Sequence, residues 1–289
     1  MSDQQPAQPS SQPAAPSRGL TFGPVASAYE RGRPGYPAEA VTWLVGAEAH
    51  VVLELGAGTC KLTAELVRQG HAVHATDPDA GMLDVLEEQV PGCSAKQGSA
   101  EEIPANDRCV DVVVAGQAFH WFDHERALPE IARVLKPGGH LALVWNAMDQ
   151  RIPWVRRLVA TLGAQAEGPG AEQALVHSDL FGFVEDAQFK HWQDVNRESI
   201  VDLVRSRSWI ATMPPEQADA KVAEVLALYD DYGRGMDGMQ IPYVTHCFRA
   251  QVVDRDDRRA GEPDTDPDAP ESPVVSDGTD TDMLLIDFR

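Results

Sequence analysis

Glu54-Leu55-Gly56-Ala57-Gly58 and, further along, Asp77 are the residues whose types and spacing could do chemistry together. Val51 to Leu55 has the apolar, β-branched character of a short buried strand, and Lys61 to Arg68 has the pattern of a helix. A chain that passes from strand to helix in so few residues needs positions without a Cβ, both for unusual dihedrals and for close passage of the backbone along a ligand. Gly56 and Gly58 supply them. A second strand, His71 to Thr76, ends in Asp77, about 23 residues after Glu54. A carboxylate in that place can accept hydrogen bonds from both hydroxyls of a ribose. The pair points to a nucleoside-containing ligand.

The spacing narrows the ligand. A dinucleotide fingerprint places a third glycine at the sixth position of G-x-G-x-x-G, facing a pyrophosphate; here that position is Lys61. A carboxylate two positions before the first glycine would also repel a pyrophosphate. Glu54 suits instead a cationic group such as an α-ammonium or a sulfonium. On these residues the chain resembles the class I S-adenosylmethionine-dependent methyltransferases, whose first motif is an acidic residue followed by G-x-G-x-G. Glu54, Gly56 and Gly58 match it, and Cys60 replaces the third glycine, a small side chain expected to be tolerated where the helix begins.

Further motifs follow in the family's order. Gly98-Ser99-Ala100-Glu101-Glu102-Ile103-Pro104, after a third strand expected over Cys93 to Gln97, is similar to the family segment beside the adenine, which implies roles for the Ala100 amide and for Glu101. Val110 to Ala115 reads as a central parallel strand, and Gly116-Gln117-Ala118-Phe119-His120-Trp121-Phe122 puts polar and aromatic residues at its C-terminal edge, where open α/β sheets bind ligands. Gln117 is expected at the cofactor on that basis. Ala127, Leu128, Ile131, Val134 and Leu135 form a helical stripe that Pro129 should delay or kink. Lys136-Pro137-Gly138-Gly139 should end the helix before a fifth strand, His140 to Trp145. Upstream, Tyr29, Arg33, Tyr36 and Pro37 resemble the Y-x-x-x-R-P-x-Y-P entrance of a small-molecule methyltransferase subgroup that also carries Q-A-x-H-W-F. This implies that Tyr29 covers the methionine part of the cofactor and Arg33 pairs with its carboxylate. Packing of Tyr29 and Tyr36 against the sheet, with Arg33 a surface cation, is the alternative.

These elements need a frame. The resemblance implies an α/β fold, a Rossmann-like seven-stranded mostly parallel sheet with an antiparallel edge hairpin and a small helical cap. Beyond Trp145, helices are expected over 152–165, 199–211 and 215–232, and strands over 181–192 and 241–250, so the methyltransferase domain should span 21–253 with its cap mainly after residue 149. Residues 1–20, rich in Gln, Pro, Ser and Ala, are expected to be disordered. So is the acidic segment 254–289, whose 12 acidic and 4 basic residues carry a net charge of −8. The whole chain carries −21, which leaves −13 on the rest and disfavours a nucleic-acid substrate. Cys60, Cys93, Cys109 and Cys247 form neither close pairs nor metal-ligand spacings, and neither a signal peptide nor a membrane span is recognisable, so a cytoplasmic location and no metal are expected.

The chemistry expected is transfer of a sulfonium-activated methyl group to a small molecule, with a carboxylate or hydroxyl oxygen as the favoured acceptor. A carboxylate needs no base, whereas a hydroxyl needs one, and His120 at the strand end is the candidate. A structural histidine stacked on Phe119 or Trp121 is the other role open to it. Two other classes are a noncatalytic cofactor-binding or scaffold protein and a nicotinamide-dependent dehydrogenase, the latter disfavoured by Lys61. Oligomeric state has no signature in the chain.

Overall fold

The computed structural model describes residues 26–163, 170, 172–232 and 239–253. The two segments expected to be disordered, 1–20 and 254–289, lie outside these residues. The chain begins with α1 (Ala26–Gly32) and α2 (Ala38–Val45), then alternates β1 (Val51–Leu55), α3 (Lys61–Arg68), β2 (Ala72–Asp77), α4 (Ala80–Gln89) and β3 (Ser94–Gln97). It returns through β4 (Val110–Gly116), a 3-10 turn over Phe119–Trp121, α5 (His124–Val134) and β5 (Leu135–Met148). After α6 (Pro153–Leu162), α7 (Gln173–Val176), β6 (Glu185–Val195), α8 (Arg197–Arg205), α9 (Ser208–Ala211) and α10 (Pro215–Tyr232), it closes with β7 (Met239–Gln251).

The strands form one sheet in the order β3-β2-β1-β4-β5-β7-β6. The first five are parallel, and β7 runs antiparallel to both β5 and β6. Strand order reverses between β1 and β4, so the loops leaving those two strands diverge and open a crevice at their carboxyl ends.

Alternation along the central strands sorts the core into two faces. Leu53 and Leu55, Val113 and Ala115, and Leu141, Leu143 and Trp145 pack with Phe119 and the Ile131 stripe of α5. Val52, Val112 and Val114, and Ala142 and Val144 pack on the other side with α2 and α3. Because the side-chain period of a strand is two, Glu54 shares the Val52 face and points under α3. Helices α6, α8 and α10 bury a separate apolar cluster against the far ends of β6 and β7, which makes the cap. No helix among the described residues is long and apolar enough to cross a membrane.

Several boundaries differ from the sequence expectation for local reasons. Helix α5 runs through Pro129 without delay, beginning at His124. The Lys136-Pro137-Gly138-Gly139 segment does end the helix but belongs to β5 as a bulge, since Val110 pairs with Leu135 whereas Val112 pairs with His140. The single helix expected over 199–211 is two, because Ser206 turns its hydroxyl onto the Leu203 carbonyl at 2.8 Å and the chain breaks before α9. Strand β6 begins at Glu185, after Phe181 has made an isolated bridge with Val252. The helix expected from Ile152 stops at Leu162, where Gly163 caps it in the left-handed conformation.

The turn after β1 separates two glycine requirements. At Gly56 (φ +68°) a Cβ would fall 2.5 Å from the Ala118 Cβ, so the loops of β1 and β4 are in contact there. At Gly58 (φ +58°) nothing lies within 4 Å of that position. Gly56→Ala should therefore destabilise the ligand-free protein by about 2 kcal/mol or more, from backbone strain plus overpacking. Gly58→Ala should cost only about 1 kcal/mol. Denaturant unfolding of the two variants checks this order; equal costs would show that the β1 and β4 loops are not in contact at Ala118.

Candidate active site

The crevice is a cavity of about 550 Å³, within the range of small-molecule sites. Its walls come from four segments: the glycine turn after β1, Asp77 and Pro78 after β2, Gly98 to Glu101 after β3, and Gly116 to Asp123 after β4. Helix α1 contributes Tyr29 and the turn just after it Arg33, α4 contributes Met82, and α5 contributes Arg126. Tyr29, Arg33, Gly56, Gly58, Asp77, Ala100, Glu101, Gln117 and His120 all line it. Glu54 does not.

Asp77 ties two of these walls together. Its Oδ2 accepts from the Gly58 amide at 2.9 Å and its Oδ1 accepts from the Asp79 amide at 2.9 Å. Burial raises its carboxyl pKa, and the two amides act in the opposite direction. A carboxylate has about four acceptor sites, so two amides leave capacity toward the cavity. Asp79 in turn caps α4 by accepting from the Gly81 amide at 2.9 Å.

Glu54 lies below the turn, 1% exposed, accepting from the Thr63 hydroxyl at 2.7 Å. Burial pushes its carboxyl pKa up to about 8, with the Thr63 bond opposing and the Asp77 charge adding. Thr76 donates to the Glu54 carbonyl at 3.0 Å, so side chain and backbone of this residue are both engaged within the protein.

The β4 side is a polar network. Gln117 sits at φ +57°, with its amide bonded to the Val144 carbonyl at 2.9 Å and its Nε2 to the Asn146 carbonyl at 3.0 Å. Asn146 donates to the Gly35 carbonyl at 2.9 Å and accepts from the Thr245 hydroxyl at 2.7 Å. A non-glycine residue held at positive φ beside a cavity is the kind of strain that clusters at functional sites. Glu101 Oε1 accepts from the Asp123 amide at 2.9 Å, pinning the β3 loop to the start of α5. The exposed His120 ring lies 4.8 Å from that of Trp121, and both line the outer wall. Trp145 is fully buried in the sheet core, and Trp209 bonds the Leu162 carbonyl at 3.2 Å within the cap.

Cys60 occupies the family's third glycine position in a glycine-like conformation, φ 114°, and is buried. Burial pushes its thiol up to about 12, so it is protonated at neutral pH.

Sequence reasoning missed Met82 and Arg126 as wall residues. Arg126 carries the clearest signal in retrospect. It stands in the first turn of α5, where a helix favours negative charge, and no salt bridge among the described residues satisfies it.

The raised Glu54 carboxyl has a stability consequence. With a folded value near 8 against an ordinary 4.5, the native chain holds the proton while the unfolded chain has released it. Stability falls as pH rises from about 4.5 to about 8 and levels off above. Glu54→Gln should remove that fall and raise ligand-free stability at pH 8 by on the order of a few kcal/mol relative to pH 4.5. Urea unfolding of both proteins across this range checks it; parallel pH curves would place the Glu54 carboxylate ionised in the folded state.

Similarity to known proteins agrees with this geometry. A family profile described as a methyltransferase domain matches residues 53–143, the stretch from β1 to β5 that carries most of the cavity wall. An uncharacterized methyltransferase of Mycobacterium tuberculosis is 44% identical over 237 residues, covering 81% of this chain and 96% of its own. A malonyl-[acyl-carrier protein] O-methyltransferase of Methylococcus capsulatus is 34% identical over 156 residues, 45% of this chain and 56% of its own. Among solved structures, an N-methyltransferase of Haemonchus contortus with bound S-adenosylhomocysteine superposes with a TM-score of 0.50 at 16% identity, covering 84% of this chain and 62% of its own. A strand-end carboxylate, a glycine turn and a cavity that joins them fit an adenosyl cofactor, and the dehydrogenase and scaffold alternatives fall away: this chain belongs to the S-adenosylmethionine-dependent methyltransferases.

Proposed function

We propose that this enzyme methylates an oxygen of a small molecule, a carboxylate first and a hydroxyl second, as a member of the Q-A-x-H-W-F subgroup. The observation that carries the reading is Arg126, a guanidinium with no salt bridge among the described residues, which lines the same cavity as His120 and Trp121. An anionic acceptor would supply the missing charge. The partial similarity to an enzyme named as a malonyl O-methyltransferase supports an oxygen acceptor. The net charge of −21 favours a small molecule over a nucleic acid.

When bound, the cofactor supplies a methyl group already activated by the sulfonium. The chain's own residues bind and orient. Asp77 would accept from the ribose hydroxyls while keeping its bonds to Gly58 and Asp79. Gly56 and Gly58 let the backbone pass close, Ala100 and Glu101 would lie at the base, and Gln117 holds the β4 loop. Tyr29 and Arg33 would cover the amino-acid end. Glu54 would act on the cofactor through the turn above it. Arg126 would orient the acceptor and Trp121 exclude water, since alignment and desolvation are what such a transfer needs. For a carboxylate no proton moves. For a hydroxyl acceptor His120, which lines the same wall, would take the proton. We also propose a cytoplasmic location and a methyltransferase domain spanning 21–253.

A methyl-donor turnover screen across carboxylates, phenols and amines tests the acceptor class. Carboxylates should turn over. With such an acceptor, Arg126→Ala should raise the acceptor KM by about tenfold or more with S-adenosylhomocysteine affinity unchanged, and His120→Gln should leave the rate within a few-fold. Turnover confined to phenols or alcohols, with a loss of about 10²–10⁴ in His120→Gln, would overturn the carboxylate assignment in favour of base catalysis.

A further inference from the structure

The two positions at which the glycine turn departs from familiar fingerprints, Cys60 and Lys61, share a partner that is far away in sequence. Lys61 Nζ pairs with Glu30 Oε1 at 2.8 Å, the Cys60 thiol approaches Glu30 Oε2 at 3.7 Å, and the Thr59 hydroxyl donates to the same Oε2 at 2.7 Å. Three consecutive residues of the turn thus converge on one carboxylate of α1. The Thr59 side is buried, and the ion pair is only about one-quarter and one-fifth exposed at its two ends, so solvent screens it less than a surface pair.

The neighbours of Glu30 in and just after α1 face elsewhere. Tyr29 and Arg33 line the cavity, with the Arg33 guanidinium 5.2 Å from the centre of the Tyr29 ring. Arg31 makes a fork onto Asp202 of α8 at 2.7 and 3.1 Å. The Gly32 carbonyl accepts from Gln193 at 2.9 Å, and a Cβ at Gly32 would lie 2.4 Å from the Asp202 backbone. The cap therefore holds one side of this short helix. Glu30 is what holds the other side to the turn.

We propose that Glu30 is a positioning residue for cofactor binding: gripped by Thr59, Cys60 and Lys61, it fixes α1 on the glycine turn so that Tyr29 and Arg33 complete the cavity wall. It does not touch the cofactor. The inference rests on the placement of Tyr29 and Arg33 at the amino-acid end under Proposed function. It also accounts for a thiol and an ammonium at positions where a glycine fingerprint has no use for either: both donate to Glu30.

Calorimetry with S-adenosylhomocysteine and with 5′-methylthioadenosine, which lacks the amino-acid end, tests it on the full chain. Glu30→Ala should weaken S-adenosylhomocysteine by about tenfold and leave methylthioadenosine within about twofold. Glu30→Gln, which still accepts from Thr59, should recover part of the loss. In an Arg33→Ala background, Glu30→Ala should add little, because the group it positions is already gone. Unchanged S-adenosylhomocysteine affinity in a folded Glu30→Ala would overturn the proposal, as would an undiminished loss in the Arg33→Ala background or an equal loss of methylthioadenosine. If Glu30→Ala does not fold, Lys61→Met carries the same test with the same expected selectivity. Parent protein that binds neither ligand would instead overturn the placement of the cofactor itself.

Discussion

The site depends on one carboxylate bridging two turns. Asp77 stands at the end of β2 and holds the Gly58 amide of the neighbouring turn with one oxygen and the Asp79 amide of its own loop with the other, both at 2.9 Å. A buried carboxylate is costly unless it is hydrogen-bonded, and the two amides answer that cost. In doing so they fix the distance between the glycine turn and the start of α4, two neighbouring walls of the cavity. The parallel pairing of β1 with β2 brings the two strand ends level, Leu55 opposite Thr76, so that this bridge can form. The reversal of strand order between β1 and β4 keeps the third wall apart and leaves the space that a cofactor needs.

Strain and buried carboxyl groups concentrate at the same end of the sheet. Cys60 and Gln117 hold positive φ in the loops after β1 and β4, and Glu54 and Asp77 are buried carboxyls with raised pKa values at the ends of adjacent strands. The two apolar faces of the sheet, led by Trp145 and Phe119 on one side and Val112 and Val114 on the other, provide the stability against which such features can persist. The cap has its own apolar cluster and reaches the cofactor end through α1.

Much of this was legible in the chain because local rules and the global fold agree in the nucleotide-binding half. The apolar run of β1, the glycines after it and the acidic end of β2 follow from elementary strand and turn requirements, and α3 and α10 begin and end where their patterns do. The orientation of Glu54 was less evident: its residue type suggests a ligand contact, whereas the two-residue period of β1 turns it under α3 toward Thr63. The bulge at Lys136 to Gly139 and the break at Ser206 arise from pairing register and a side-chain-to-backbone bond, neither of which has a periodic signature. The Glu30 contacts to Thr59 and Lys61 cross some 30 residues, and Arg126 is distinguished by making no salt bridge among the described residues. Neither is visible until the chain is folded.

The most direct test of the central claim is the affinity of S-adenosylhomocysteine for Asp77→Asn measured by calorimetry, beside unfolding of the same variant. Asparagine keeps the size and one acceptor oxygen but turns an NH2 toward one of the two amides and removes the charge. The account predicts a folded protein whose affinity is lower by one to two powers of ten, the loss of a charge-assisted pair of roughly 1.5–3 kcal/mol. An Asp77→Asn protein that folds and binds S-adenosylhomocysteine as tightly as the parent would contradict it.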